Sequence, residues 1–150
     1  MIERYQTPEM AALWADESRF DIWRDVEVAA CDALAEMGEI PAEAAREIRA
    51  KGNFDTDRVL EIENTVQHDV IAFLTNMAEY VGPASRFVHQ GMTSSDLLDT
   101  SFALQIVEAG EVLRGSLVKL LDTVEAKARE HQGTVMIGRS HGIHAEPTTF

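Results

Sequence analysis

The stretch TSSDLLDTSFALQIVEAGEVLRGSLVKLLDTVEAKAREHQG, residues 93–133, decides the fold class of this chain. Its apolar residues recur at steps of three or four, which is the spacing of one face of an α-helix, and no proline interrupts them. At 1.5 Å per residue such a helix is about 55 Å long, more than a single compact domain normally needs. We therefore predict an all-α chain in which residues 93–150 begin a long-helix bundle domain.

The residues at the start of this helix could either cap it or bind a ligand. Thr93, Ser94, Ser95 and Asp96 match a capping box, with a hydroxyl at the N-cap and an acid three residues later. Spare hydroxyls and free N–H groups at a helix start also bind carboxylates or phosphates. The two readings are compatible, and both are kept.

Upstream, residues 1–92 are expected to form a small N-terminal helical domain. Pro8 after Thr7 predicts a short helix, and Pro41 predicts another that ends at Gly52. Two longer amphipathic helices are expected, one from Asp16 to Gly38 and one from Asp55 to the break at Gly82. Their inward stripes are predicted as Phe20, Trp23, Val26, Ala30, Ala33, Leu34 and Met37, and as Val59, Leu60, Ile62, Val66, Val70, Phe73, Leu74, Met77 and Tyr80. Gln67, His68 and Asp69 are expected inside the second one, and residues 87–92 in a connecting loop.

Downstream of the long helix, residues 134–147 are too rich in glycine and β-branched residues for a helix. They are also few for a sheet, so we predict a shaped loop. Pro147 has the position expected at the start of a further helix. The sequence stops at Phe150 before that helix completes a turn, so we expect the chain to be part of a longer protein.

Composition excludes several classes of function. A formal net charge of −13 disfavours nucleic-acid binding. No run reaches the length of a membrane span, and the first residues lack the pattern of a signal peptide, so a cytoplasmic protein is expected. The single cysteine, Cys31, lies in an apolar helical stripe and is expected to be a buried thiol.

Four of the five histidines, His68, His89, His141 and His144, lie in or beside breaks in the helical pattern. His141 and His144 share a spacing that metal sites use, but the glycine and proline around them argue against a helix, and no further ligands accompany them. Histidine titrates near neutral pH, so His141 in a glycine-flanked loop suits general acid–base catalysis better. His131 suits the negative end of the long helix.

For two residue pairs and one arginine, the sequence allows both a structural and a functional interpretation. His68 with Asp69 suits either a buried hydrogen-bonded pair or a functional one. Arg4 and Tyr5 suit either an anchored terminus or a binding role, and Arg139 either a solvated surface or an anion site.

Several segments together resemble the adenylosuccinate lyases, a family of the fumarase/aspartase superfamily, over essentially all 150 residues. The segments are IERY at 2–5, QHDVIAF at 67–73, VHQGMTSSD at 88–96 and, most specific of all, GRSHGIHAEPTTF at 138–150. Small departures are Gln67, where basic or other polar residues also occur, and Ser140, where threonine is frequent.

The resemblance implies a reaction, the elimination of fumarate from adenylosuccinate and from the succinylated aminoimidazole carboxamide ribotide. It implies that His141 is the general acid and that His68 assists it. It also implies a set of substrate-binding residues: Arg4, Tyr5, Gln67, His68, Asp69, His89, Thr93 and Ser94. Thr93 and Ser94 would hold a substrate carboxylate, while Arg4, Tyr5 and His89 would line the nucleotide end.

The resemblance further implies a homotetramer whose active sites combine several subunits, with no metal and no organic cofactor. The general base would lie on a serine-containing loop outside these 150 residues, so we expect this chain to be inactive alone. Two alternatives remain: another fumarate-releasing lyase of the same superfamily, and a helical interaction module without catalysis.

Overall fold

The computed structural model describes residues 2–150, which are mostly helical with one small sheet. They fall into two compact units, one ending at Ala109 and one covering Gly110–Phe150. The elements in chain order are a 3-10 helix Glu3–Tyr5, α1 Pro8–Leu13, α2 Asp16–Glu36, α3 Ala42–Lys51, α4 Thr56–Val66, α5 Asp69–Val81, a 3-10 helix Gly82–Phe87, α6 Ser94–His131, β1 Val135–Ser140 and β2 Ile143–Thr149. Among the helices of residues 2–150, none combines the length and apolarity that crossing a bilayer requires.

Several helix ends lie where the local sequence predicts them. The hydroxyl of Thr7 accepts a hydrogen bond from the Met10 amide at 3.4 Å, with Pro8 in the first turn of α1. Gly82 caps α5 with φ +76°, and Gly38 follows α2 with φ +78°. Because a left-handed backbone favours glycine, these two residues end their helices at little cost.

The core of the first unit is built around four aromatic rings. Phe73 has ring centroids of Phe20, Trp23 and Phe54 at 5.7, 5.5 and 6.0 Å. Ile48 from α3 is completely buried in the same cluster. Aromatic rings at such separations attract one another beyond the effect of apolar burial, so this cluster ties α2, α3 and α5 together.

The inward stripe of α2 differs from the one predicted. Met37 is 67% exposed, whereas Glu27 and Cys31 are 0% and 1% exposed. Cys31 is a buried thiol, as expected. Burial raises its pKa to about 11, and the nearby Glu27 acts in the same direction. The stripe therefore follows the positions of Trp23, Glu27 and Cys31, and it includes a charged residue type.

The single helix predicted from Asp55 to Gly82 is wrong. Gln67 adopts φ +53° and ends α4, and α5 begins at Asp69. The side-chain amide of Gln67 donates to the Asn64 carbonyl at 3.0 Å, which satisfies an acceptor in the last turn of α4. The predicted inward stripe is confirmed only in part. The two helices pack against each other and bury Val59, Ile62, Val70, Phe73 and Met77 of that stripe. Its other members Leu60, Val66 and Tyr80 are exposed, at 38%, 39% and 42%.

Two polar contacts hold α4 and α5 together. Arg58 pairs with Glu79 at 2.9 Å, and the fully buried amide of Asn76 accepts from the Asp55 main-chain N–H at 2.8 Å. Asn76 also donates to Glu79 at 2.9 Å. These bonds link the start of α4 to the last turns of α5, so the two helices are held as an antiparallel pair.

In the second unit, the prediction of an irregular loop for residues 134–147 is wrong. β1 and β2 form an antiparallel pair, with Val135 opposite Thr149 and Ser140 opposite Ile143. An antiparallel pair needs only a two-residue connection, so thirteen residues suffice for a small sheet. His141 and Gly142 form this connection.

Two details of the hairpin oppose the sequence-based expectations. Pro147 lies opposite Ile137 within β2 instead of starting a helix. Gly138 lies where the register shifts, and a β-carbon added there would come within 3.2 Å of the Glu146 carbonyl oxygen. The glycine that argued against regular structure thus suits the close approach of the two strands, because a β-carbon there would force a small shift of the neighbouring strand.

Candidate functional site

Arg4 and Tyr5 lie together in the first 3-10 helix. The Arg4 guanidinium donates to the Tyr5 hydroxyl at 3.2 Å and lies 4.8 Å from the centre of its ring. Tyr5 is 67% exposed and lines a groove of about 410 Å³ with Thr7, Met10 and Trp14. The pair therefore presents a cation and a hydroxyl at the surface, where both can reach an anionic ligand.

Gln67, His68 and Asp69 occupy the break between α4 and α5. His68 is the N-cap of α5, and its Nδ1 accepts the Ile71 N–H at 3.4 Å. Asp69 accepts its neighbour's N–H at 2.7 Å and lies 3.5 Å from His68 Nδ1. Both side chains are exposed, at 46% and 39%, so the buried-pair reading of His68 and Asp69 does not apply.

His89 is held by a residue that the sequence reasoning did not single out. The two carboxylate oxygens of Glu27 contact the His89 main-chain N–H at 2.9 Å and its ring Nδ1 at 2.6 Å. Glu27 is completely buried, and the His89 side chain is 17% exposed. The signal was present in the sequence, because Glu27 stands four residues after Trp23 and four before Cys31, on the inward face of α2.

Thr93 and Ser94 lie at the start of α6, and half of the expected capping box is formed. The Thr93 N–H donates to the Asp96 carboxylate at 2.9 Å. The Asp96 N–H donates at 3.0 Å to the Thr93 carbonyl and not to its hydroxyl. Within the described residues, the hydroxyl of Thr93 thus stays available to a ligand at the positive end of a helix.

His141 lies in the second unit, at the tip of the hairpin. His141 and Gly142 have φ of +51° and +77°, the signs that a type I′ turn requires at both central residues. This two-residue turn places the imidazole at an exposed end of the sheet. Arg139 of β1 pairs with His144 of β2, one residue pair further from the turn than Ser140 and Ile143.

The remaining histidine, His131, lies at the end of the long helix, as the sequence predicted. His131 is the last residue of α6, its Nδ1 lies 3.2 Å from the Thr134 hydroxyl, and its ring lies 5.6 Å from that of Phe150. Within residues 2–150, no group of three or more His, Cys, Asp and Glu side chains is placed to hold a metal ion.

A shared backbone feature distinguishes three of these residues. In the part of the chain that the structure describes, the non-glycine residues with positive φ are Gln67, His89 and His141. A left-handed backbone is costly for residues with a β-carbon, and such strain is concentrated at functional sites. All three are among the residues that the sequence singled out.

The comparison with known families identifies the class of this protein. A family described as Lyase matches residues 3–150, so the chain belongs to that lyase family. Within the fumarase/aspartase superfamily, its sequence corresponds to the N-terminal part of the adenylosuccinate lyases. An adenylosuccinate lyase from a Synechocystis species is 56% identical over 150 residues, and one from Bacillus subtilis is 47% identical. The alignments cover 100% of this chain and 35% of the length of each relative.

Solved structures show the same fold. A 3-carboxy-cis,cis-muconate lactonizing enzyme from Pseudomonas putida matches with a TM-score of 0.86 and 30% identity, covering 97% of this chain and 35% of that one. A fumarate lyase from Mesorhizobium sp. BNC1 matches with a TM-score of 0.85 and 29% identity, covering 94% and 34%. The all-helical class expected from the sequence is confirmed, with the hairpin as its one addition.

Proposed function

We propose that these residues form part of the active site of an adenylosuccinate lyase, which eliminates fumarate from a succinylated purine nucleotide. The observation that carries the proposal is the left-handed backbone at Gln67, His89 and His141. Strain persists where the surrounding structure enforces it, which is the behaviour of residues held for binding or catalysis. The relatives at 56% and 47% identity support the choice of reaction.

The chemistry needs an acid and a base acting on one substrate. A base removes the proton from the carbon beside a carboxylate, the carbon–carbon double bond of fumarate forms, and the carbon–nitrogen bond breaks. In our proposal His141 donates its proton to the leaving nitrogen, and His68 assists it. The base is supplied by residues outside this chain, so the 150 residues alone are expected to be inactive.

The other candidate residues are proposed to bind the nucleotide. Arg4, Tyr5 and His89 offer N–H and O–H donors for its phosphate end, while Thr93 and Ser94 offer donors for a carboxylate. The full substrate-binding set is Arg4, Tyr5, Gln67, His68, Asp69, His89, Thr93 and Ser94. We propose no metal and no organic cofactor for this reaction.

The remaining context is also proposed. Residues 1–92 are an N-terminal helical domain, and residues 93–150 are the first helix and active-site segment of a bundle domain. The full-length protein is a cytoplasmic homotetramer. Exposed apolar residues on the part of α6 within the second unit support association with further helices: Leu113, Leu117, Leu120, Leu121 and Val124 are 56–65% exposed.

The first experiment measures fumarate release from adenylosuccinate. The 150-residue chain is compared with a version extended to the full length of the adenylosuccinate lyases, and argininosuccinate serves as the alternative substrate. We expect release by the extended version, from adenylosuccinate only. No release from adenylosuccinate by the extended version refutes the proposed reaction, and activity of the short chain refutes the placement of the base outside it.

The second experiment separates the catalytic role of His141 from its structural role. Asparagine is well tolerated in a left-handed turn before glycine, so His141→Asn should preserve the hairpin. It cannot transfer the proton, so kcat of the extended version should fall by about 10²–10⁴-fold. His131→Asn is the matched control and should leave kcat nearly unchanged. A loss below about tenfold for His141→Asn contradicts its role as general acid.

The interaction-module alternative rests on the same exposed residues of α6. If it holds, the 150-residue chain binds other helices and the extended version turns nothing over. Sedimentation of both versions, measured beside the activity assay, distinguishes the two functions.

A further inference from the structure

Glu27 is an unusual residue for the interior of a helical domain. Its side chain is 0% exposed, and it lies on the face of α2 that also buries Trp23. Burying a carboxylate costs a large free energy unless hydrogen bonds replace the lost water. Its presence therefore calls for a specific partner.

One residue supplies partners for both oxygens of this carboxylate. The His89 main-chain N–H donates to Oε2 at 2.9 Å, and the His89 ring Nδ1 lies 2.6 Å from Oε1. The two residues are 62 positions apart in the sequence. Glu27 thus holds His89 at two points, one on its backbone and one on its ring.

The bond between the His89 main-chain N–H and Glu27 stabilises a strained backbone conformation. His89 has φ +64°, a conformation that its β-carbon disfavours. The bond from its amide to Oε2 forms in this conformation, so it offsets part of the strain. Loss of the carboxylate should release both the backbone and the ring.

The ring bond determines which nitrogen of His89 faces away from Glu27. An ionised carboxylate only accepts hydrogen bonds, so with Glu27 ionised the proton between Nδ1 and Oε1 belongs to Nδ1. Nε2 is then the nitrogen left for an outside partner, as an acceptor in the neutral ring and as a donor in the imidazolium. The hydrogen bond made by one ring nitrogen determines the role of the other.

We propose that Glu27 is a positioning residue that orients His89, so that in the imidazolium form the Nε2–H donates towards the anionic, phosphate-bearing end of the nucleotide. The proposal rests on the proposed function for the identity of the ligand. The orientation itself rests on the two contacts, and it can be measured without any substrate. Glu27 does not touch the ligand and acts only through His89.

The first measurement is nuclear magnetic resonance of the ring nitrogens in the 150-residue chain, labelled with 15N. The His89 signals are identified by their absence in His89→Gln. At a pH above the usual range of histidine, the wild-type ring should carry its proton on Nδ1. A ring protonated on Nε2 alone overturns the proposal, and this result needs no variant of Glu27.

Glu27→Gln supplies the matched perturbation. The glutamine is nearly isosteric, but its NH₂ group donates, so one of the two contacts must change its direction. If the amide oxygen keeps the main-chain bond, the NH₂ group faces Nδ1 and the proton moves to Nε2. We expect this change of tautomer in Glu27→Gln and not in Glu36→Gln, which removes an exposed carboxylate from the same helix. Unchanged His89 nitrogen signals in a folded Glu27→Gln chain overturn the proposal.

Kinetics of the extended version test the functional part. Glu27→Gln should raise KM for adenylosuccinate about tenfold, because a neutral ring donates to an anion more weakly than an imidazolium paired with a carboxylate, and it should change kcat less than about twofold. Glu36→Gln should change neither. An unchanged KM in Glu27→Gln refutes the positioning role. An inactive wild-type extended version refutes the proposed function instead, and the tautomer measurement then still decides the orientation.

Discussion

Replacing Phe73 by alanine tests whether the aromatic cluster holds the first unit together. The ring is completely buried and has three aromatic neighbours with centroids at 5.5–6.0 Å. Removing a buried phenylalanine costs about 3–5 kcal/mol. Each aromatic pair contributes about 0.5–1.5 kcal/mol beyond burial. The loss should therefore lie near the upper end of that range, about 5 kcal/mol.

Urea unfolding followed by tryptophan fluorescence measures this loss. With a denaturant slope of about 1.5 kcal/mol/M, the midpoint should fall by about 3 M. Phe102→Ala is the control, because Phe102 is 54% exposed and its ring pairs with that of Trp14 at 6.1 Å. If Phe73→Ala is too unstable to fold, Phe73→Leu should still cost about 1.5 kcal/mol. A difference under about 1 kcal/mol between the two alanine variants refutes the central role of Phe73.

Three further outcomes follow from single contacts. Burial raises the pKa of the Cys31 thiol from 9.0 to about 11, so its alkylation at pH 8 should be about a hundredfold slower in the folded chain than in urea. Hydrogen bonds from Arg58 and Asn76 hold the pKa of Glu79 below its ordinary value of 4.5. Their stabilisation is present above that value and is lost as the pH falls, so Glu79→Gln should flatten the acid side of a plot of unfolding free energy against pH. Gln67→Gly should be more stable to urea than Gln67→Ala by about 1 kcal/mol, because glycine adopts φ +53° without the strain that the β-carbon of alanine causes.

The helices were predictable because each carries its own local signals. The spacing of apolar residues and the caps at Thr7, Gly38 and Gly82 need no information from distant parts of the chain. The ends of α6 were predicted within two residues for the same reason. Periodicity alone did not reveal the break at Gln67, because two helices packed on one buried face keep the same apolar spacing.

The hairpin was not predictable by the same reasoning. Its two strands are exposed, so neither shows the alternation that a half-buried strand produces. The informative signal was His141-Gly142, a variant of the Asn-Gly pair that favours a type I′ turn. Without the pairing register, the glycine at 138 indicates a loop, whereas in the structure it allows the strands to approach.

The sequence proposed the residues of the candidate site, and their roles stay predictions, but it did not indicate which residues hold them in place. The motif around His141 identified it, but the hydrogen bonds around His89 depend on Glu27, which comes 62 residues earlier. A charged residue inside an apolar stripe is the one local signal of such a support. Pairing it with a histidine required the fold.

The strained residues connect the stability of the fold to its proposed function. For stability alone, glycine or asparagine would suit the left-handed positions of Gln67, His89 and His141 better than the residues present. Gly38 and Gly82, which end helices, show that the chain uses glycine where only the turn matters. A chain that places glutamine and two histidines in the same conformation keeps their side chains at a cost in free energy. Such a cost is expected where the side chain performs a function, and it favours a ligand-binding or catalytic role for these three positions over a purely structural one.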